Sequence, residues 1–348
     1  MNTPSLPLRV VQWATGNIGL RALRAVIEHP ALSLVGVYVY GDAKAGRDAG
    51  ELCHLSPIGV TATRSIDDIV ALKPDCVLYM PQRIDADDLC RLLEAGINVV
   101  TTRTEFHLPA CMDAALRERI DLACQRGGTS IHSTGSSPGF ITEAVPLALL
   151  SIQRRLDHLH IHEYADMAAR NSPELLFQIM GFGRAPNPQA DAGRAQHLRH
   201  AFGPSAQALA EAVGLSFDSI DAHGEVALAR HDTRIAAGMI DAGTVAAQRA
   251  TVIGMRKGTP LISFTANWFV STELDKDWDL RGDGWRVVVD GDAPLDMDLR
   301  FTVAPEHKAA TTPGYTAHRA VNAVPYVCAA APGIRTTAEL PQIIADLR

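Results

Sequence analysis

The first residues whose types and spacing suggest chemistry are Ala14-Thr15-Gly16-Asn17-Ile18-Gly19. They follow the apolar run Leu8–Trp13 and open a helical pattern carried by Leu20, Leu23 and Val26. Against the dinucleotide fingerprint G-x-G-x-x-G, the second and third glycines stand at Gly16 and Gly19, and Ala14 replaces the first. Glycine at 16 lets the backbone approach a pyrophosphate, glycine at 19 lets helix and strand pack closely, and unpaired amides at the helix N-terminus receive the anion. Thr15, Gly16, Asn17, Ile18 and Gly19 are therefore the expected phosphate-binding residues. A plain tight turn also uses glycine, but the strand–turn–helix context is the one that supports dinucleotide binding. The next strand, Ser33–Tyr40, runs into Gly41-Asp42-Ala43-Lys44-Ala45-Gly46-Arg47 with no carboxylate at its end. Lys44 and Arg47 suit a ribose 2′-phosphate, which favours NADP. Asp42 keeps NAD possible, and a solvated basic loop is the alternative.

In doubly wound sheets, ligands bind beyond the carboxyl ends of the strands. Three such ends are legible: Tyr79-Met80-Pro81-Gln82, Thr101-Thr102-Arg103-Thr104-Glu105, and Ser133-Thr134-Gly135-Ser136-Ser137-Pro138-Gly139-Phe140. Pro81, Thr101, Thr102 and Arg103 are expected along the cofactor. Glu105 is the one carboxylate placed just past a strand end in this half, where it would face the nicotinamide ring as acid/base. The competing view makes it an exposed loop residue ahead of Pro109. There is no nucleophile elbow, no Ser-His-Asp order and no phosphoryl-transfer loop. His158, His160 and His162 alternate and fall on one face of a strand, with Leu159 and Ile161 on the other. This fits a half-solvated strand better than a metal site, and no metal is expected.

The elements that must position these residues alternate at first. Strands at Leu8–Trp13, Ser33–Tyr40, Cys76–Met80, Ile97–Thr101 and Thr129–Ser133 are separated by helices, including Asp85–Glu94, Cys111–Gln125 and Phe140–Ile152. That rhythm predicts an α/β fold with a Rossmann-type doubly wound parallel sheet. Ser65 and Asp68 form a candidate capping box for another helix. From about residue 155 the strands lengthen and alternate: His158–Tyr164, Phe217–Leu228, Leu261–Phe269, Trp285–Asp290 and Met297–Val303, with a helix over Asn187–Gly214. A second α+β domain with a mainly antiparallel sheet is expected. The domains are then 1–154 for the dinucleotide, 155–312 for substrate and dimerisation, and 313–348 as a C-terminal helix (Tyr315–Ala330) and exposed tail returning to the first.

Composition narrows the function classes. The chain has 348 residues, with 32 Lys+Arg against 39 Asp+Glu and a net charge of −7. It contains no long basic run, so neither nucleic acid nor an anionic membrane is an expected partner. No apolar run reaches the ~18 residues of a membrane span. Met1–Leu8 lacks a basic segment leading into an apolar one, so a cytoplasmic protein is expected. The six scattered cysteines then read as reduced.

Together, Val10-Val11-Gln12-Trp13-Ala14-Thr15-Gly16-Asn17-Ile18-Gly19, Gly46-Arg47-Asp48-Ala49-Gly50, Thr102-Arg103-Thr104-Glu105 and Ser137-Pro138-Gly139-Phe140 resemble the native amine dehydrogenases. These belong with the 2,4-diaminopentanoate dehydrogenases to a dihydrodipicolinate-reductase-like superfamily. The likeness extends to Ser172-Pro173-Glu174, Met180-Gly181-Phe182-Gly183, and Thr316-Ala317 with Val321-Asn322-Ala323-Val324-Pro325. The resemblance implies reduction of an imine, formed from a ketone or aldehyde and ammonia, by a nicotinamide cofactor, and the reverse amine oxidation. It puts the family's glutamate on Glu105, adds Asn322 to the cofactor set, and maps an apolar substrate pocket onto Phe140, Tyr164, Phe177 and Met180. The His-His acid segment and lysine-bearing loop of dihydrodipicolinate reductase itself are missing.

Three alternatives follow. A diamino-acid dehydrogenase would need a cation for the substrate carboxylate, Arg170 or Arg184. A carbonyl or hydroxyl dehydrogenase of the homoserine-dehydrogenase type would need a lysine acid, Lys257 or Lys276. A non-enzymatic dinucleotide sensor would need no carboxylate beside the nicotinamide. A homodimer is expected, pairing faces of the second sheet.

Overall fold

The computed structural model describes residues 6–348; Met1–Ser5, within the segment read above for a signal, lie outside the described residues. The chain divides into two compact units, one of residues up to Phe140 together with Ala310–Arg348, the other Ile141–Ala309. The sequence reading put these junctions at 154 and 312. Among the described residues no helix is long and apolar enough to cross a membrane.

In the first unit strands and helices alternate: β1 (Leu8–Trp13), α1 (Asn17–Ile27), β2 (Leu32–Tyr38), α2 (Ala49–Leu52), β3 (Ala62–Thr63), α3 (Ile66–Ala71), β4 (Cys76–Tyr79), α4 (Ala86–Glu94), β5 (Asn98–Thr101), α5 (Ala114–Gly127) and β6 (Ser130–Ser133). A closing strand, Gly333–Arg335, pairs with β6, so the sheet runs closing strand–β6–β5–β4–β1–β2–β3. All its pairings are parallel. The order reverses between β1 and β4, which is where such sheets open a ligand crevice. Both faces are apolar, as a parallel sheet covered by helices requires. Val11, Val77, Val99 and Ile131 pack with Leu89, Leu93 and Ile120. On the alternate residues, Val10, Leu78 and Val100 pack with Ala22 and Val26 of α1 and with Ala317, Val321 and Val324 of the C-terminal helix Lys308–Cys328. The segment beyond that helix is not an exposed tail. It supplies the closing strand and buries Ile334, Leu340 and Ile343. The capping box is half formed: Ser65 Oγ accepts from the Asp68 amide at 3.1 Å, but Asp68 accepts from Thr63 Oγ1 instead of returning a bond to residue 65.

The second unit contains α6 (Val145–Leu150), β7 (Leu156–Asp166), a wide helical turn (Glu174–Ile179), α7 (Pro188–Ala212), β8 (Ser219–Leu228), the hairpin β9 (Thr233–Ile235) and β10 (Gly238–Ile240), β11 (Val245–Arg256), β12 (Thr259–Phe269), β13 (Gly284–Gly291) and β14 (Leu295–Arg300). Its six-stranded sheet is ordered β14-β13-β7-β12-β11-β8. Four pairings are antiparallel and one, β7 with β12, is parallel. The fold class expected from the sequence is borne out, with β11 and the hairpin as unpredicted additions. One sheet face is apolar and packs on α7, where Phe202 stacks on Phe264 at 4.0 Å. The other carries His158, His160 and His162. His158 Nε2 lies 2.9 Å from Ser263 Oγ, and His160 Nε2 the same distance from Thr265 Oγ1. Burial, and for His162 the nearby Arg286 and Arg249, push His160 down to about 3 and His162 to about 4. These rings are neutral at ordinary pH. Among the described residues no group of three or more His, Cys, Asp or Glu side chains could hold a metal ion.

Candidate active site

The glycine turn lies between β1 and α1. Gly16 caps α1 in extended backbone, and a Cβ there would meet nothing within 4 Å. The space beside it is open to an anion. A Cβ on Gly19 would run into the Ala14 carbonyl oxygen, so this glycine serves the close packing of α1 on β1. Ala14, in place of the first glycine, is left-handed with φ +73°. Thr15, Gly16, Tyr40, Lys44 and Pro81 help line a cleft of about 670 Å³ beside the loop. Trp13 backs this region, stacked on Tyr38 at 3.7 Å and donating from Nε1 to Tyr40 Oη at 2.9 Å. Lys44 Nζ donates to Thr15 O at 2.8 Å and Thr15 Oγ1 at 3.1 Å, which seats its charge on the phosphate loop. Arg47 stands exposed and does not line the cleft, whereas Arg83, which the sequence reading missed, does. Asp42 is exposed and ion-paired with Arg64.

Two strands along the same carboxyl edge, about 10 Å away at one strand spacing each, β5 ends at the fully buried Thr101. Thr101 Oγ1 accepts from the Arg103 amide at 3.1 Å, and Ser133 Oγ donates to Arg103 O at 2.5 Å. Thr102 is half-buried between them. The chain then enters a short 3-10 turn, Thr104–Phe106, pinned by the fully buried Phe106. That turn presents Glu105. Arg103 donates from Nη1 to Gln82 O at 2.8 Å and from Nη2 to Glu105 Oε1 at 2.5 Å. One carboxylate oxygen is thereby fixed; the other, Oε2, is buried with no partner. Arg103 Nε, Thr134 Oγ1 and Ser137 Oγ are also buried and unpartnered. Buried polar groups are normally paired, and exceptions concentrate where a ligand completes them. Orphaned hydroxyls and a half-free carboxylate suit a nicotinamide, whose carboxamide both donates and accepts. Thr134 and Ser137 were not singled out from the sequence, although four hydroxyl residues within Ser133–Ser137 were a legible sign.

Other candidates fall elsewhere. Asn322 is not brought to the phosphate loop. It lines a separate cleft with His29, Ala31 and Tyr326, and Ala31 immediately precedes β2 at the opposite sheet edge. Phe140 lies in the first unit with the Arg319 guanidinium 5.9 Å from its ring. Tyr164, Phe177 and Met180 belong to the second unit. Tyr164 is buried on the histidine face, its ring 5.9 Å from His162. Phe177 and Met180 pack with Leu176, Phe182 and Ile240 in a core cluster. Arg184 is ion-paired with Asp191, and Arg170 is exposed. Lys276 lies 3.6 Å from Glu225, and Lys257 sits in the turn between β11 and β12.

Residues 194–347 match the family model described as the 2,4-diaminopentanoate dehydrogenase C-terminal domain. Over 348 residues, 96% of each chain, the protein is 29% identical to an amine dehydrogenase of Streptomyces virginiae. The structure of an amine dehydrogenase from Mycobacterium smegmatis superposes with a TM-score of 0.76 at 21% identity, covering 97% of each chain. The resemblance drawn from the motifs is borne out along the whole chain.

Proposed function

We propose that this protein is an NAD(P)H-dependent amine dehydrogenase that reductively aminates small ketones or aldehydes with ammonia and oxidises the matching primary amines. The observation that carries the reading is Glu105: one oxygen fixed by Arg103, the other buried and unpartnered, on the sheet edge that also bears the phosphate loop. Thr15, Gly16, Asn17, Ile18 and Gly19 would hold the pyrophosphate, and Thr134 and Ser137 the nicotinamide carboxamide. The nicotinamide, when bound, supplies hydride donation and acceptance. Glu105 Oε2 takes a proton from the substrate ammonium and offsets the positive charge that develops on carbon and nitrogen. In the reductive direction the same oxygen returns that proton as a carbinolamine loses water. Arg103 keeps the carboxylate turned to one side, so a single oxygen serves as the base. A 2′-phosphate fits beside Lys44 with Arg83 lining the same cleft, which favours NADP over NAD. A homodimer formed through the histidine-bearing sheet face completes the reading.

The test is ammonia-dependent NADPH oxidation with cyclohexanone, run beside a 2-keto acid. Turnover with cyclohexanone that vanishes without ammonia supports the proposal; turnover independent of ammonia overturns it. The family description makes a diamino-acid substrate the second reading. It gains nothing from Arg184, whose charge is already paired with Asp191. Preference for the keto acid, lost in Arg170→Ala, would establish it.

A further inference from the structure

Beneath the phosphate loop lies a polar side chain that the dinucleotide fingerprint does not require. Gln12 is completely buried in β1. Its Nε2 donates to Ala14 O at 2.9 Å and to Trp13 O at 3.3 Å, while its Oε1 is buried without a partner. Leaving a buried amide oxygen unmatched is unfavourable, and an apolar side chain of similar size would avoid it. Both bonds that Gln12 makes go to carbonyls at the start of the turn. Ala14 occupies the position of the fingerprint's first glycine and holds φ +73°, a conformation glycine adopts freely and alanine resists. Gly19 completes the arrangement, because a Cβ there would strike the same Ala14 oxygen and stand 3.1 Å from Gln12 Nε2.

We propose that Gln12 is a positioning residue for the cofactor. Its carboxamide grips the Ala14 carbonyl and holds the turn left-handed, so a hydrogen bond does what backbone freedom would do if residue 14 were glycine. The inference rests on the dinucleotide reading above. It predicts that positions 12 and 14 are coupled: alanine at 14 makes the glutamine necessary, and glycine at 14 makes it dispensable.

The experiment is a fluorescence titration of purified wild type, Gln12→Leu, Ala14→Gly and the double variant with NADPH and with NADH, each also melted by circular dichroism. Gln12→Leu is expected to weaken NADPH binding about tenfold or more, and the double variant to return within about threefold of wild type. Amine KM at saturating NADPH should change by less than about twofold, because the loop does not touch the amine. Wild-type affinity in Gln12→Leu, or a loss that Ala14→Gly leaves unrepaired, overturns the proposal. If Gln12→Leu does not fold, Gln12→Met replaces it. If that also fails, recovery of folding and binding on adding Ala14→Gly supports the coupling, and no recovery overturns it. A folded wild type that binds neither NADPH nor NADH removes the dinucleotide reading itself, a result separate from the other two.

Discussion

The histidines of β7 and the turn after β5 are both polar groups withdrawn from water, and the molecule treats them differently. His158 and His160 each meet a hydroxyl of β12 at 2.9 Å, and burial holds His160 and His162 neutral. At the carboxyl edge of the parallel sheet, Glu105 Oε2, Arg103 Nε, Thr134 Oγ1 and Ser137 Oγ are buried and meet nothing. A satisfied polar network rigidifies a fold, whereas an unsatisfied one is costly unless something arrives to complete it. The contrast separates histidines paired with hydroxyls from a cluster of unpaired groups, although from sequence the alternating histidines are the more conspicuous of the two.

The comparison breaks first at Glu105. Glu105→Gln keeps the shape and removes the base, so kcat for amine oxidation should fall ~10²–10⁴-fold while NADPH affinity stays unchanged. A fall of less than about tenfold would make Glu105 a loop residue. The two loop glycines give the next effect. Gly16→Val projects into open space, so it should leave the melting temperature unchanged and weaken NADPH binding by about tenfold or more. Gly19→Ala collides with the Ala14 carbonyl oxygen and should lower both stability and affinity. Equal melting temperatures for these two variants would contradict the packing described here.

Thr134→Ala with Ser137→Ala probes the orphaned hydroxyls. Cofactor affinity should drop about three- to tenfold with no loss of stability, since neither group bonds within the fold. If stability falls and affinity holds, those hydroxyls belong to the structural class. The smallest effect is on the other side of the comparison. His160 and His162 have folded values near 3 and 4, below the ordinary 6.5, so the unfolded chain binds more protons between those limits. Their contribution is complete above pH 6.5 and is lost as the pH falls through that window. Replacing both with Gln should flatten the acid decline of the melting temperature and leave amine turnover unchanged. An unaltered slope would mean that other groups set it.

The glycine turn after β1 and the turn that carries Glu105 were legible as strand-end features because each depends on a few contiguous residues. Less local features were not. Residues 245–256 form the longest strand of the second sheet, yet they read as Val-Ala-Ala-Gln-Arg-Ala-Thr-Val-Ile-Gly-Met-Arg, without alternation. Both faces of that strand are largely covered, by α7 on one side and by the polar side chains around the histidines on the other, so the usual polar-out signal is erased. Asn322 lines a cleft with His29 and Tyr326, a setting its motif does not reveal, because the direction in which a helix returns to a sheet is a tertiary fact. Phe177 and Met180 are half-buried and pack against a core cluster, a setting that an aromatic and a methionine at helical spacing do not distinguish from a pocket wall.

The closing strand has a consequence for how the chain is made. β6 lacks its outer neighbour until Gly333–Arg335 is synthesised, and the helix covering one sheet face ends only at Cys328. The parallel-sheet unit therefore emerges from the ribosome with an open edge and a bare apolar flank, and must wait while all of Ile141–Ala309 is translated. Incomplete units of this kind expose surface that invites misassembly. Gly333–Arg335 thus decides when the sheet begun at Leu8 is finished.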